Sequence, residues 1–494
     1  MGKGGGIHVT GTPEDLAQNV GGRLTVGKSS AYREAVTKVE ARANAHLWKW
    51  MLASDLAYVL SAADLKLLPR EAAAELLPAL VDLLDSGPPE QSPTPGDIVV
   101  TREVCVTERV GPVTGGWLHL GRNRGESLRS YLPRLFFRDA LHRERVALLD
   151  MLDVLATKAE THLEALAPNF HHLQHAGYTT LGEYLLSWAT TLRPHLDRLA
   201  EADRRLDLAP SVLGGRERLK ALGDRVRERL GFTRQARLRR EAMWTEDQFW
   251  EPFALLSFIA VDLGRLAEDL RIWMTPEFGF FEPSDAHASS SSALPQKKNP
   301  FGLEAVIGGA AMGLGRLAGQ LAANLSPSDQ SDALFHAGSL YQQALDVIAQ
   351  TAFMAELVDQ GTFDLAALRD KATWGFAGTS EAADMLVFEH GVPFRAAHHA
   401  LGGVVRALAK GQTPPAIADL LEAATGRRYD LDEQGLLKVV RGEVIPATAL
   451  DLPRVREARD DLAREIAEFR AEMPEHSPSE QAVARLKAEA TARF

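Results

Sequence analysis

Ser289-Ser290-Ser291-Ser292-Ala293-Leu294-Pro295-Gln296-Lys297-Lys298-Asn299-Pro300 is a short polar stretch set between two long segments of helical periodicity. Upstream, Leu255, Ile259, Leu263, Leu266 and Leu270 recur at three- and four-residue steps, Phe258, Val261 and Ile272 widen the stripe, and Pro276 follows its end. That spacing makes one broad apolar helical face, suited to a bundle interior. Downstream, Leu303 to Leu325 repeats the pattern but carries Gly308, Gly309, Gly313, Gly315 and Gly319. A glycine inside a helix costs roughly 1 kcal/mol relative to alanine, so this density predicts close approach by neighbouring helices, from the same chain or other subunits. A third helical stretch runs from about Thr180 to Leu206. The expected fold class is all-α with a long central helical bundle. Ile98 to Val106, rich in β-branched residues, is the best candidate for a strand.

Working outward, 494 residues are too many for one compact core. The expected division is an N-terminal helical domain over 1–110, a central bundle over 111–363 carrying the loop 286–300, and a C-terminal helical domain over 364–494. Other interruptions are Ser86 to Asp97, with four prolines, and the glycine-rich Gly111 to Gly125, which holds Arg122 and Arg124. Loops between long rigid helices are where chemistry usually sits. A net charge of -11 argues against a nucleic-acid partner, which needs a basic face. The single cysteine, Cys105, can form no intrachain disulfide and reads as a small buried apolar residue, in keeping with a reducing, cytoplasmic setting. No unbroken apolar run approaches the roughly 18–20 residues of a membrane span, so no membrane is expected. The opening Met-Gly-Lys-Gly-Gly-Gly has no apolar signal core. There is no P-loop, dinucleotide fingerprint, HExxH or CxxC pattern, so no metal or cofactor is expected.

Ser-Ser-Ala-Leu-Pro-Gln-Lys-Lys-Asn-Pro closely resembles the GSSxMPQKKNP signature of the aspartase/fumarase superfamily in its argininosuccinate lyase form. Other segments agree in order. Gly116 to Arg124 (GWLHLGRNR) is similar to GKLHTGRSR, and Pro168 to Ala176 (PNFHHLQHA) to PGYTHLQRA. Trp273 to Asp285 looks like the family's run before the signature, and Gly391 to His398 (GVPFRAAH) resembles GVPFREAH. The likeness spans about residues 20 to 445. It implies a three-domain helical fold, a homotetramer with each active site built from three subunits, and elimination of an amine from an N-substituted aspartate to leave fumarate.

That reaction removes a weakly acidic Cβ proton, and the carbanion delocalises into its neighbouring carboxylate. Cations and hydrogen-bond donors must meet the developing charge. The resemblance assigns the base to Ser291, with Ser290 left open by the extra serines and Ser292 beside it as a substrate contact. It makes Lys297 the electrostatic partner and has Asn299 hold a substrate carboxylate. His172 corresponds to the family histidine and Glu304 to the carboxylate orienting it; such a pairing fixes a tautomer and raises basicity. A lone histidine on a helix is more often structural, and whether His172 protonates the amine or binds a carboxylate stays open. Gln174 matches a substrate contact; His119 matches too, though a helix-start or loop role fits equally.

Departures from argininosuccinate lyases gather on the substrate side. SIAYD becomes Ser29-Ser30-Ala31-Tyr32-Arg33, so Arg33 replaces an aspartate that faces the arginine amino group. The threonine before the histidine becomes His171, and GRSRND becomes Gly121-Arg122-Asn123-Arg124-Gly125-Glu126. DIH becomes Asp97-Ile98-Val99, and YNKDLQED has no counterpart in Leu325 to Asp332. Ser29, Arg33, Arg122, Asn123, Arg124 and His171 are therefore the candidate substrate contacts of a changed pocket. The expected leaving amine is not arginine but one bearing a carboxylate, as in ethylenediamine-disuccinate. Hydrazinosuccinate, authentic argininosuccinate lyase activity and a non-catalytic crystallin-like role are the alternatives, with solvent exposure the plain reading of Arg33.

Overall fold

The computed structural model describes residues 26–90, 96–209, 217–238, 241, 247–325 and 336–493. Helices dominate, in the order α1 (Asn44–Asp64), α2 (Arg70–Ser86), α3 (Ile98–Gly115), α4 (Leu132–Thr161), α5 (Leu181–Leu192), α6 (Pro194–Leu206), α7 (Lys220–Arg229), α8 (Asp247–Trp273), α9 (Phe301–Ala323) and α10 (Gly338–Gln360). Five-strand-length sheets are absent among the described residues; the strands form three two-stranded ribbons. The all-α expectation holds.

Of the stripe seen in the sequence, Ile259, Leu263, Leu266 and Leu270 form the inner face of α8 with Leu256, whereas Leu255, Val261 and Ile272 are half-buried and Phe258 is exposed, so the buried face is narrower than expected and begins one residue later. α8 packs along α9 and α10, and α4 packs along α10 and α5. The glycines of α9 divide into two sets. A Cβ on Gly302 would stand 2.2 Å from the Phe353 ring, and one on Gly309 would stand 2.4 Å from the Gln350 amide, so these let α10 approach. Gly308, Gly315 and Gly319 face open space, beside the exposed Phe301, Met312, Leu314 and Leu321. By length and composition α9 could cross a membrane, although no unbroken apolar run marks it in the sequence; one face is packed on α8 and α10.

The strand expected at Ile98–Val106 is instead the start of α3. The Asp97 carboxylate accepts from the amides of Val99 (3.0 Å) and Val100 (3.2 Å), capping the helix. The cap, with burial of Ile98, Val99, Val104 and Val106, overrides the strand preference of β-branched side chains.

One continuous core joins α1–α10 with two C-terminal helices, Leu452–Glu472 and Pro478–Arg493, through Val455, Leu462, Ile466, Val483 and Leu486. A separate small core lies between Ala382 and Val440. The last two helices pack on α1, α2, α4 and α5.

Candidate active site

The signature hangs from a ribbon of two rungs. β4 (Ser289–Ser290) pairs antiparallel with β5 (Lys298–Asn299), matching Ser289 with Asn299 and Ser290 with Lys298. Asn299 is buried, and its side-chain amide donates to the Ser290 carbonyl at 3.2 Å, closing the ribbon from within. Upstream, His287 is buried between Ser284, whose hydroxyl lies 2.7 Å from Nδ1, and Glu356, 3.5 Å from Nε2, with its ring against Phe353. Residues 291–297 form the loop. Ser291 Oγ accepts from the backbone amides of Ala293 (3.3 Å) and Leu294 (3.1 Å). Two N–H donors on one hydroxyl oxygen favour its anionic form. Ser292 and Lys297 are exposed, and Lys297 has no side-chain hydrogen bond or ion pair among the described residues.

His172 does not ride on a helix. β1 (Leu166–His171) and β2 (Gln174–Thr180) form an antiparallel hairpin pairing His171 with Gln174, so His172 and Leu173 make a two-residue turn. Both have positive φ, 55° and 59°, the left-handed pair that matches strand twist at a tight hairpin. The register shifts between Asn169 and Phe170, and Gly177, at φ 138°, sits opposite Asn169 in a backbone state that glycine tolerates best. Phe170 anchors the hairpin on Phe278 and Phe280. His171, His172 and Gln174 are exposed at the tip, and His172 with Leu173 lines a cleft of about 590 Å³ whose walls include Tyr184, Trp188, Asp269 and Trp273. In the cleft wall Tyr184 donates to Asp269 at 3.1 Å, and burial pushes both groups upward in pKa.

Glu304 lies exposed in the first turn of α9. No hydrogen bond or ion pair joins it to His172 among the described residues, so one chain does not make the expected pair.

Arg122 is built into the frame. Its guanidinium donates to Asp55 (2.6 Å) and Ser54 (3.2 Å) and lies over the Tyr58 ring, 4.9 Å from the centroid. Asp55 is fully buried and also lies 3.1 Å from Arg102 Nε. Burial pushes the Tyr58 phenol up to about 12, and its hydroxyl donates to the Leu120 carbonyl at 2.8 Å. Arg122 therefore anchors the loop that presents the exposed Asn123 and Arg124. Arg124 pairs with Asp97 and with Glu40 (3.3 Å); burial raises the Glu40 pKa against the opposing pull of Arg124. These contacts bring the loop to the N-terminal segment. There Ser29 caps the turn Ser30–Tyr32 by accepting from the Tyr32 amide (3.1 Å), and Arg33 Nε donates to the Lys28 carbonyl at 3.0 Å. His119 is paired with Glu103 at 3.1 Å; burial pushes that carboxyl up, but His119 and Arg102 together outweigh it and leave it shifted down. Cys105 is buried, which pushes its thiol up. Ser326 to Asp332, where the family motif is missing, lies outside the described residues.

Arg124 is thus tied through Glu40 to the N-terminal segment that carries Ser29 and Arg33, while Ser290, Ser291, Lys297 and Asn299 share the signature loop and its ribbon, and His171, His172 and Gln174 share the hairpin tip. Sequence reasoning passed over Asp55 and Lys298. A buried aspartate inside an apolar helix was the available signal for the first, and the doubled lysine for the second.

The long helical bundle with a serine–lysine loop on a short ribbon defines a lyase of the aspartase/fumarase type. In solved structures the same fold occurs in EDDS lyase in complex with formate (TM-score 0.76, 24% identity, 96% of this chain and 97% of that one). It also occurs in a fumarate lyase from Mesorhizobium sp. BNC1 (TM-score 0.66, 19% identity, 86% and 96%). The Lyase family model matches residues 22–315, and the Argininosuccinate lyase C-terminal model matches 376–428. The argininosuccinate lyase of Mycolicibacterium gilvum is 33% identical over 393 residues, 75% of this chain and 81% of that one. That of Methanocorpusculum labreanum is 29% identical over 442 residues, 87% of each. The chain belongs to the argininosuccinate lyase family and is a carbon–nitrogen lyase.

Proposed function

We propose that the protein eliminates an amine from an N-substituted L-aspartate to leave fumarate, or adds the amine in reverse, with Ser291 as the base. The observation that carries this is the pair of backbone amides on Ser291 Oγ, which no other serine of the run receives among the described residues. A serine alkoxide is too basic to exist unaided near neutral pH, and such donors together with the nearby Lys297 supply the stabilisation it needs. Ser291 takes the Cβ proton, the electron pair moves into the adjacent carboxylate, and the Cα–N bond breaks as the amine gains a proton. Lys297 offsets the carboxylate charge. Asn299 donates one amide N–H to the Ser290 carbonyl, and its second N–H is the group that would hold a substrate carboxylate.

His172 and Glu304 sit on separate exposed elements of one chain, which fits a homotetramer whose sites draw on three subunits. The open apolar face of α9 supports that assembly. His172 then serves either as acid to the leaving amine or as a carboxylate contact.

For the amine, the reading is one bearing a carboxylate. Arg33 replaces an aspartate of the family pattern on the same N-terminal segment whose Glu40 pairs with Arg124. The second reading, argininosuccinate itself, is favoured by the 33% identity to argininosuccinate lyases. Incubating the protein with fumarate and arginine, ethylenediamine, aspartate or hydrazine, while following fumarate absorbance and adduct mass, separates them. Charge reversal at a partly buried contact is worth a few kcal/mol, or roughly a hundredfold in rate ratio. Turnover of argininosuccinate at the rate of an ordinary family member would overturn the carboxylate-bearing amine. No adduct with any amine would leave the crystallin-like role.

A further inference from the structure

The two lysines of the signature are neighbours with opposite surroundings. Lys297 is exposed and has no side-chain partner among the described residues. Lys298, on β5, reaches back across the base of the loop to the segment that leads into it. Its ammonium donates to the Pro283 carbonyl at 2.7 Å and pairs with Asp285 at 2.8 Å and Glu282 at 3.2 Å. Successive residues of an extended strand point to opposite sides, which sets Lys298 on the exposed side of β5 and Asn299 on the buried side.

We propose that Lys298 is a positioning residue: by tying the exit arm of the signature loop to the 282–285 segment, it holds the Ser291–Lys297 loop in its reactive shape. All three acceptors lie before the loop, and the ammonium lies after it. The backbone ribbon between them has only two rungs. Asn299 closes the ribbon from its buried side, and Lys298 closes it from the exposed side. Glu282 lies on β3 (Phe281–Glu282), which pairs with β6 (Thr362–Phe363) just after α10, so the latch fixes the loop to the end of the bundle. Exposed ion pairs contribute little to global stability, and cutting this one should spare the fold while freeing the loop.

The inference rests on the reading of Ser291 and Lys297 as reacting groups. Its test therefore has one readout independent of activity. Hydrogen exchange by mass spectrometry on Lys298→Met should show the amides of residues 288–299 exchanging about tenfold faster, with the helices unchanged. With argininosuccinate and ethylenediamine-disuccinate as probes, kcat on whichever is processed should fall about tenfold while KM moves less than twofold. Lys298→Arg should restore most of both. A Glu282→Gln, Asp285→Asn double variant, which leaves the lysine in place, should reproduce the exchange effect in part. Unchanged loop exchange in Lys298→Met overturns the latch whatever the activity. Faster exchange spread through the bundle overturns it too, by making Lys298 a general structural residue. Full activity in Ser291→Ala together with a loosened Lys298→Met loop would instead sink the base assignment and leave the latch standing.

Discussion

Replacing Glu144 by glutamine should remove a large pH dependence from the stability of the bundle. Glu144 lies on α4 with no exposure, and among the described residues Thr351 of α10 is its one hydrogen-bond partner, with 2.7 Å between Oγ1 and Oε1. The same hydroxyl lies 3.1 Å from the Val347 carbonyl, and a hydroxyl has a single proton to give. A protonated Glu144 resolves the shortage by donating to Thr351, which then donates to Val347. Burial is the dominant cause that pushes the carboxyl up, to about 8, against a modest opposing effect from Thr351. The folded pKa lies above the unfolded one, so stability is fully present below the unfolded value of 4.5 and is lost as pH rises to about 8. Each pH unit in that window costs about 1.4 kcal/mol, or about 5 kcal/mol across it. Urea unfolding of wild type and Glu144→Gln in parallel cancels the titration of other groups. From about pH 6 to about pH 8 the wild type should lose about 3 kcal/mol relative to the variant. Below that range the glutamine should be the less stable of the two, because its second N–H has no acceptor. Parallel curves over the whole range would show that Glu144 is ionised in the folded protein and refute the reasoning.

Asp97→Ala should remove both the cap of α3 and one of the two carboxylates paired with Arg124, costing about 1–2 kcal/mol in denaturant unfolding, while Asp97→Asn keeps most of the cap. Gly182→Ala would place a Cβ 2.8 Å from the Ala159 carbonyl oxygen and the Leu163 Cα, both backbone, so α5 must shift away from α4. A loss of about 1–3 kcal/mol is expected, read as a lowered unfolding midpoint. Ser291→Ala should cut turnover by several orders of magnitude with fumarate still bound, measured by steady-state kinetics and calorimetry. The same collapse in Ser290→Ala, with Ser291→Ala active, would move the base by one residue.

The bundle was legible because a stripe such as Ile259 to Leu270 has one physical solution in water, a buried helical face. The His172 hairpin was not. Its strands lack alternation, and its turn uses histidine and leucine, which do not advertise left-handed backbone as Asn-Gly would. Ile98 to Val106 misled because composition spoke for a strand while one residue, Asp97, capped a helix. In the site, Ser291 and Lys297 were readable from a local string, since their relation lies within seven residues of chain. The separation of His172 from Glu304 depends on three-dimensional placement, which no local pattern records. Arg122 looked like a ligand for substrate because arginine in a glycine-rich loop suits anions; its partner Asp55 is far away in sequence and buried.

Four identical serines in a row carry no mark of which one is to react. Their numbering is imposed from outside the run: His287, wedged upstream between Ser284, Glu356 and Phe353, fixes one end, and the Asn299 amide clasping the Ser290 carbonyl fixes the other. The serines are counted like beads between two knots. Gaining or losing one serine codon, a typical accident of repetitive tracts, would leave the composition almost untouched. Yet a slip of one residue turns every side chain of a ribbon to its opposite face. The tract should therefore tolerate changes of letter better than changes of length, and a lineage could lose its reacting serine while every residue type still appears to be present.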